Sequence, residues 1–266
     1  MDSTKRLAFR LGNLQVLPLR YPFNVNLEKS LAVDPDLVIL ESIDSTNLEL
    51  ARLLGGEAKP DLFALVAAQQ TSGRGRLERT WVSEPETSIS LSMLLRPTQN
   101  IEQGLIPLFV GSCVASALEV ITGAQAKVKW PNDVLIAGKK VCGVLSELTD
   151  FGVIAGVGIN VERQAGAPET ACAVADFTKA TFDEVLAEVL AQLRQGWISW
   201  LGQGNHFALD KIRSSSLTIG LDVRAILPGG EEITGTALGI EPDGRLRIQG
   251  NDLHLVSAAD VWHLRN

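Results

Sequence analysis

The stretch QQTSGRGRLERTW, Gln69 to Trp81, holds two glycines, three arginines and a tryptophan, and almost nothing that could pack a core. Glycine lets a backbone come close to a ligand, and guanidinium groups offer planar, permanently charged donors to phosphate or carboxylate. Such a loop suits the handling of an anion, although a plain solvated loop has the same composition. No GK[ST] follows, so it is not a P-loop. In KWPND, Lys129 to Asp133, a lysine, an indole and a carboxylate surround a proline that disfavours helix; a strand end with a turn reads equally well. In GKKVCG, Gly138 to Gly143, Lys140 opens an apolar strand and points either to solvent or into a site. STN, Ser45 to Asn47, supplies good helix caps, and a helix N-terminus is also a ready anion site. GVGIN, Gly156 to Asn160, puts glycines in a strand, where a ligand or another backbone can approach.

The composition limits what these groups can do. The chain of 266 residues is 45% hydrophobic and carries a formal net charge of -7. A general nucleic-acid binder needs a basic field, so positive charge here must act locally. Cys113, Cys142 and Cys172 are scattered without CxxC spacing, which argues against a disulfide framework or a zinc site. The only histidines, His206, His254 and His263, lie in the last quarter, which disfavours Ser/His/Asp and Cys/His catalysis near Arg74. Transfer at phosphorus or of an activated acyl group, driven by positioning and electrostatics, fits better. The N-terminus lacks a leader pattern, and no run is expected to reach the ~18 apolar residues of a membrane span. A cytoplasmic location is the expectation.

The elements that must position these residues follow from pattern. Residues 1–36 have weak periodicity and read as an arm, short for a winged helix-turn-helix domain. Val38-Ile39-Leu40 starts a strand, and Thr46 with Glu49 predicts a capping box on a helix stopped by Gly55-Gly56. DLFALVAAQQ is a buried strand running into the Gly/Arg loop, and TSISLSMLLRP is the next strand, ended by Pro97. GLIPLFVGSCVASALEVITG has helical length. AKVKWPNDVLIAGKKVCGVLSELT and FGVIAGVGINV read as strands with turns at Ala137-Gly138 and Asp150-Phe151-Gly152. RQAGAPETACAVADF reads as a mobile loop, followed by an amphipathic helix capped by Thr181 and Glu184. From about Ser214, turns at roughly ten-residue spacing predict a small β-barrel. The expected organisation is an arm at 1–36, a catalytic domain at 37–213 and a barrel at 214–266.

The order and spacing of STN, QQTSGRGR, KWPND, GKKVCG and GVGIN closely resemble the biotin–protein ligase family, over roughly residues 38 to 266. The resemblance implies an α/β fold: a mixed, largely antiparallel sheet with packed helices, and a small C-terminal SH3-like β-barrel. It implies an enzyme that makes biotinyl-5′-AMP and pyrophosphate from biotin and ATP with Mg²⁺. Biotin then passes to one lysine of the biotin carboxyl carrier protein of acyl-CoA carboxylases. Carried over residue by residue, Ser45, Thr46 and Gln70 line the biotin pocket, and Gly73, Arg74, Gly75 and Arg76 form the biotin-binding loop. Arg74 and Arg76 hold the carboxylate and phosphate of the adenylate. Lys140 bridges biotin carboxylate and α-phosphate, and Trp81 closes over the nucleotide. Gly143 and Asn160 complete the pocket, and Asn132 and Asp133 face the reacting end, with Asp133 a candidate to orient or deprotonate the incoming lysine. The magnesium ligands are not assigned.

Physically, two anions that repel must be brought together, and fixed cations and magnesium neutralise the repulsion while a hinged loop excludes water. The sequence departs from the family at Leu77-Glu78-Arg79, where a glycine usually precedes the arginine, and at ACAVADF, where an Ala-Thr-Ser-Leu run is usual. The short arm implies a ligase that binds no operator DNA. An exposed strand edge could serve carrier docking or a homodimer. Lipoate attachment and a non-catalytic biotin-sensing regulator are the competing readings.

Overall fold

The computed structural model describes residues 26–264 except 77, 78, 86 and 258. A seven-stranded sheet has the order β1-β2-β3-β7-β6-β5-β4, from β1 (Val38–Ile43), β2 (Ala64–Gln70), β3 (Ser88–Leu95), β4 (Ala126–Lys129), β5 (Asp133–Ile136), β6 (Lys139–Thr149) and β7 (Gly152–Asn160). Only the β1–β2 pair is parallel. Both hairpin turns expected from sequence are present. The β5–β6 turn holds Ala137 and Gly138 at φ 49° and 76°, the positive-φ pair that a tight hairpin requires.

The two faces of this sheet have different chemistry because strand residues alternate sides. On one face Ile89, Leu91 and Met93 of β3, Val144 of β6 and Ala155, Val157 and Ile159 of β7 are buried in the main core. Helices α3 (Ile106–Thr122), α4 (Phe182–Gln203) and α5 (Asn205–Ser215) complete that core. The stretch Gln103–Thr122, which includes α3, is long and apolar enough by composition to cross a membrane, contrary to expectation. Its apolar residues are instead spent inside the protein: Leu108, Phe109, Cys113, Val114 and Leu118 are all buried. Gly196 of α4 lets the helices meet, since a Cβ there would stand 2.6 Å from Cys113 Sγ. Gly123 ends α3 in the left-handed conformation, and Thr181 caps α4 with Glu184 returning to its backbone, as expected.

On the opposite face, helix α2 (Thr46–Gly56) covers only one end, packing Leu50 and Leu54 on Leu65, Leu94 and Ile154. The rest of that face carries small residues. The predicted capping box is absent: Ser45 is the N-cap, no side chain caps the helix, and Glu49 pairs with Arg52. Thr46 Oγ1 is drawn instead to Gln70, 3.1 Å away.

The described part of residues 1–36 contains a helix that the sequence pattern did not signal. Residues Glu28–Val33 form helix α1, too short to show a period in the sequence. Asp183 fixes it by accepting from Lys29 N (2.8 Å), Ser30 N (2.9 Å) and Ser30 Oγ (2.6 Å). After α5, a second sheet of order β11-β10-β9-β8-β12 is antiparallel throughout, from β8 (Asp222–Ile226), β9 (Glu232–Ile240), β10 (Leu246–Gln249), β11 (Leu253–Val256) and β12 (Asp260–His263).

Candidate active site

The sheet register explains why the scattered sequence motifs meet. Lys129 of β4 pairs with Asp133 of β5, Asp133 with Gly143 of β6, Gly143 with Gly158 of β7, and Gly158 with Ser90 of β3. Directly opposed residues share a face, so KWPND, GKKVCG and GVGIN contribute to one row across the sheet. The next row holds Leu145, Gly156 and Ser92. The floor is therefore mostly glycine backbone and hydroxyls, with Leu145 its apolar member, flanked by charge at the β4–β5 end.

At the α2 end, a buried hydrogen-bond network lines the floor. Gln70 Oε1 accepts from Thr46 N at 2.9 Å, and Gln70 Nε2 donates to Ser90 Oγ at 3.1 Å. The Ser92 hydroxyl lies within donating distance of Thr46 Oγ1 (2.8 Å) and Asn47 Oδ1 (2.6 Å). Ser83 joins Ser88 and Ser90, each at 3.1 Å. Ser45, Thr46 and Asn47 are themselves buried. The serines of β3 were missed as site residues, yet the signal was legible: Ser88, Ser90 and Ser92 recur at the strand period of two, on the face opposite Ile89, Leu91 and Met93.

The Gly/Arg loop leaves β2 and folds back on itself. Arg74 bridges Thr80, Gly75 N donates to Arg79 O at 2.7 Å, and Trp81 N donates to Gly73 O at 2.9 Å. Gly73 is required there because a Cβ would collide with the Trp81 carbonyl. With Leu145 the loop encloses an open cavity of about 780 Å³ lined by Gly73, Arg74, Gly75, Arg76 and Arg79. The expected departure at Leu77-Glu78 lies outside the described residues.

The cations divide into two groups. Lys140 Nζ lies 2.6 Å from Asp133 Oδ1 and 5.8 Å from the Trp81 ring centroid. Arg76 reaches the same end, its Nη1 3.5 Å from Asn132 Oδ1. Burial pushes the pKa of Arg76 down, and Asp260 and Asp133 pull it back up. Burial likewise pushes Lys129 down against the pull of Asp133. Arg74 stands apart, ion-paired with Glu147 of β6 at 3.1 Å. Glu147 is four residues along β6 from Gly143, about 13 Å at strand rise.

The remaining predicted residues hold structure around the site. Asn132 Nδ2 donates to Val144 O at 2.7 Å, and Asn160 Nδ2 donates to Cys172 O at 3.1 Å. The segment expected to be a mobile loop is tied alongside Lys140: Lys140 N donates to Thr170 O (2.8 Å) and Cys172 N to Lys140 O (2.9 Å). Asp176 accepts from Ala173 N and Arg163 Nε there. Trp130 of KWPND does not face the site. It is 2% exposed and donates from Nε1 to Gly244 O of the C-terminal sheet at 3.1 Å.

The barrel also reaches the site. Asp260 of β12 pairs with Arg79 of the loop, and Lys129 Nζ lies 5.8 Å from the ring centroid of Trp262.

Comparison with known proteins agrees with this geometry. Residues 39–162 match the profile of the biotin/lipoate A/B protein ligase family, and residues 218–264 match that of the biotin protein ligase C-terminal domain. The biotin–[acetyl-CoA-carboxylase] ligase of Mycobacterium tuberculosis is 36% identical over 86% of this chain and 89% of its own length. The bifunctional ligase/repressor BirA of Bacillus spizizenii is 29% identical over 98% of this chain and 84% of its own. The biotin protein ligase of Aquifex aeolicus, solved in complex with biotin and ATP, superposes with a TM-score of 0.71 at 32% identity, over 87% of this chain and 99% of that one.

Proposed function

Because the chain belongs to the biotin protein ligase family, we propose that it activates biotin with ATP and transfers it to a lysine of the biotin-accepting domain of an acyl-CoA carboxylase. In the first step a biotin carboxylate oxygen attacks the α-phosphorus of ATP, forming biotinyl-5′-AMP and releasing pyrophosphate. In the second the lysine amine attacks the acyl carbon and AMP leaves.

The observation that carries this reading is the gathering of Lys140, Arg76 and Asp133 beside a floor of glycine backbone, under Trp81. The two cations neutralise the repulsion between carboxylate and phosphate, and they act where Trp81 and the loop limit water. The head group of biotin is assigned to the polar end formed by Ser45, Thr46, Gln70 and Ser90, which offers donors and acceptors inside a buried setting. Asp133 is held by Lys140 at 2.6 Å. An incoming anion that takes Lys140 leaves that carboxylate to orient the carrier amine. Asn132 and Asn160 keep β6 and the 161–176 segment in place around the nucleotide.

Magnesium is assigned to the phosphates of ATP as it enters; among the described residues no cluster of three His, Cys, Asp or Glu is placed to hold an ion. The test is ATP-dependent transfer of radiolabelled biotin to a purified carrier domain, with lipoate in parallel. Labelling by lipoate alone, or by neither, would sink the reading.

A further inference from the structure

The ion pair between Arg74 and Glu147 joins the Gly/Arg loop to the sheet far from the reacting end, and it has no place in the chemistry just described. Both carboxylate oxygens of Glu147 are engaged: Oε1 with Arg74 Nη2 at 3.1 Å, and Oε2 with Asn47 Nδ2 at 2.7 Å. Asn47 is 5% exposed, is further fixed by Leu145 O at 3.3 Å, and takes the Ser92 hydroxyl on its Oδ1. Gly156 makes room for it, since a Cβ there would stand 3.0 Å from Asn47 Cγ. Glu147 is thus held by the floor, and Arg74 belongs to the part that moves if the loop opens. Their contact exists only while the loop lies against β6.

We propose that Glu147 is a positioning residue: through Arg74 it latches the stretch 71–76 against β6, and so governs how long the adenylate stays covered without touching it. Arg74 then serves as the loop's half of the latch and not as a ligand of the adenylate phosphate. The side chains of Arg74 and Glu147 are 46% and 29% exposed, so water and salt screen the pair. A latch of that strength suits a loop that must open once per turnover. The latch itself is independent of the biotin-ligase reading; its consequence for the adenylate rests on that reading.

The test has two arms on the full chain with Glu147→Gln, which keeps an acceptor for Asn47 and removes the charge. Without ligand, trypsin cleavage at the loop arginines is expected to quicken roughly three- to fivefold, the scale of one half-exposed ion pair. The wild-type rate should rise with salt toward that of the variant. Unchanged cleavage would overturn the latch whether or not the protein binds biotin. With biotin and ATP, release of preformed biotinyl-5′-AMP should quicken by a similar factor, and Arg74→Gln added to Glu147→Gln should change it no further. If Arg74→Gln costs as much in the variant as in the wild type, Arg74 contacts the ligand directly and the proposal fails. Should Glu147→Gln not fold, Glu147 belongs to the scaffold, and the proposal fails on that result too. A chain that cleaves as expected yet forms no adenylate would keep the latch and refute only the biotin reading.

Discussion

The indole of Trp81 fills the space above Gly158 that any other residue's side chain would occupy: an added Cβ would stand 2.6 Å from Cζ2 and 2.8 Å from Nε1. At the paired Gly143, an added Cβ would lie 3.4 Å from Cζ3 of the same ring and 3.3 Å from Lys140 Nζ. The glycines of GVGIN and GKKVCG therefore give Trp81 its seat. Gly158→Ala is expected to push the indole out and leave the strand paired, because the crowding is on the site face only. Overpacking of this kind costs about 1–3 kcal/mol, so adenylation should fall about 5- to 150-fold. Pyrophosphate release measured beside a thermal melt checks it; an active Gly158→Ala would show that the seat is dispensable.

Lys140 gives a sharper separation of chemistry from stability. Its side chain is 38% exposed and pairs with Asp133, so in water the pair contributes little to folding, roughly 0–1 kcal/mol. Stabilising charge on phosphorus is worth far more, about a hundred- to a thousandfold in rate per lost group. Lys140→Ala should thus slow adenylation by that factor with its melting temperature nearly unchanged. Transfer from chemically supplied biotinyl-5′-AMP should suffer less than the first step. Equal loss in both steps would place Lys140 in binding the shared acyl-phosphate and not in assembling it.

How much of this was visible in the sequence can be read from particular residues. Local signals were legible: Thr181 and Glu184 write a cap, Gly123 a helix stop, and Ala137-Gly138 a hairpin. Those hairpins set register, and register put Asp133, Gly143 and Gly158 in one row. What was not legible depended on partners distant in sequence. Thr46 could serve as a cap or bond Gln70, and only the neighbouring strand decides between them. Helix α1 is set by Asp183, more than 150 positions away, and Trp130 by a carbonyl 114 positions away. The arginines of GRGR look equivalent in sequence, but Arg74 turns to Glu147 and Arg76 to Asn132.

His263 makes the junction between the two sheets sensitive to acid. Its Nε2 lies 3.1 Å from Thr218 Oγ1, and Thr218 Oγ1 also accepts from Trp130 N at 3.0 Å. Burial first, and then the charge of Lys129, hold its pKa below the ordinary 6.5. The folded state therefore binds its proton less readily than the unfolded state. The stability linked to His263 is fully present above pH 6.5 and is lost as pH falls through the lower folded value. Thermal melts should show a loss on acidification below about pH 6.5 that His263→Gln reduces. A wild-type and variant that lose stability in parallel would assign the acid sensitivity to other groups.

Trp130 tests whether the barrel is a working part of the site. Its ring is buried between the sheets, its backbone N–H bonds Thr218 at 3.0 Å, and its Nε1 bonds Gly244 O at 3.1 Å. The same barrel presents Asp260 to Arg79 of the loop, and places Trp262 by Lys129, next to Asp133 in register. Trp130→Phe keeps most of the apolar contact but strands the Gly244 carbonyl, at a cost of about 1–3 kcal/mol. Trp130→Ala adds a cavity and should cost about 3–5 kcal/mol. If the barrel only adds stability, Trp130→Phe should melt earlier yet adenylate normally well below its transition. If the barrel positions the loop through Asp260, activity should fall at temperatures where the variant is still folded, and Asp260→Asn, at a half-buried position outside the core, should reproduce that loss without lowering the melt. The second outcome is expected, because Asp260 also acts on Arg76, one of the two cations at the reacting end. Normal adenylation by Asp260→Asn would reduce the barrel to a support.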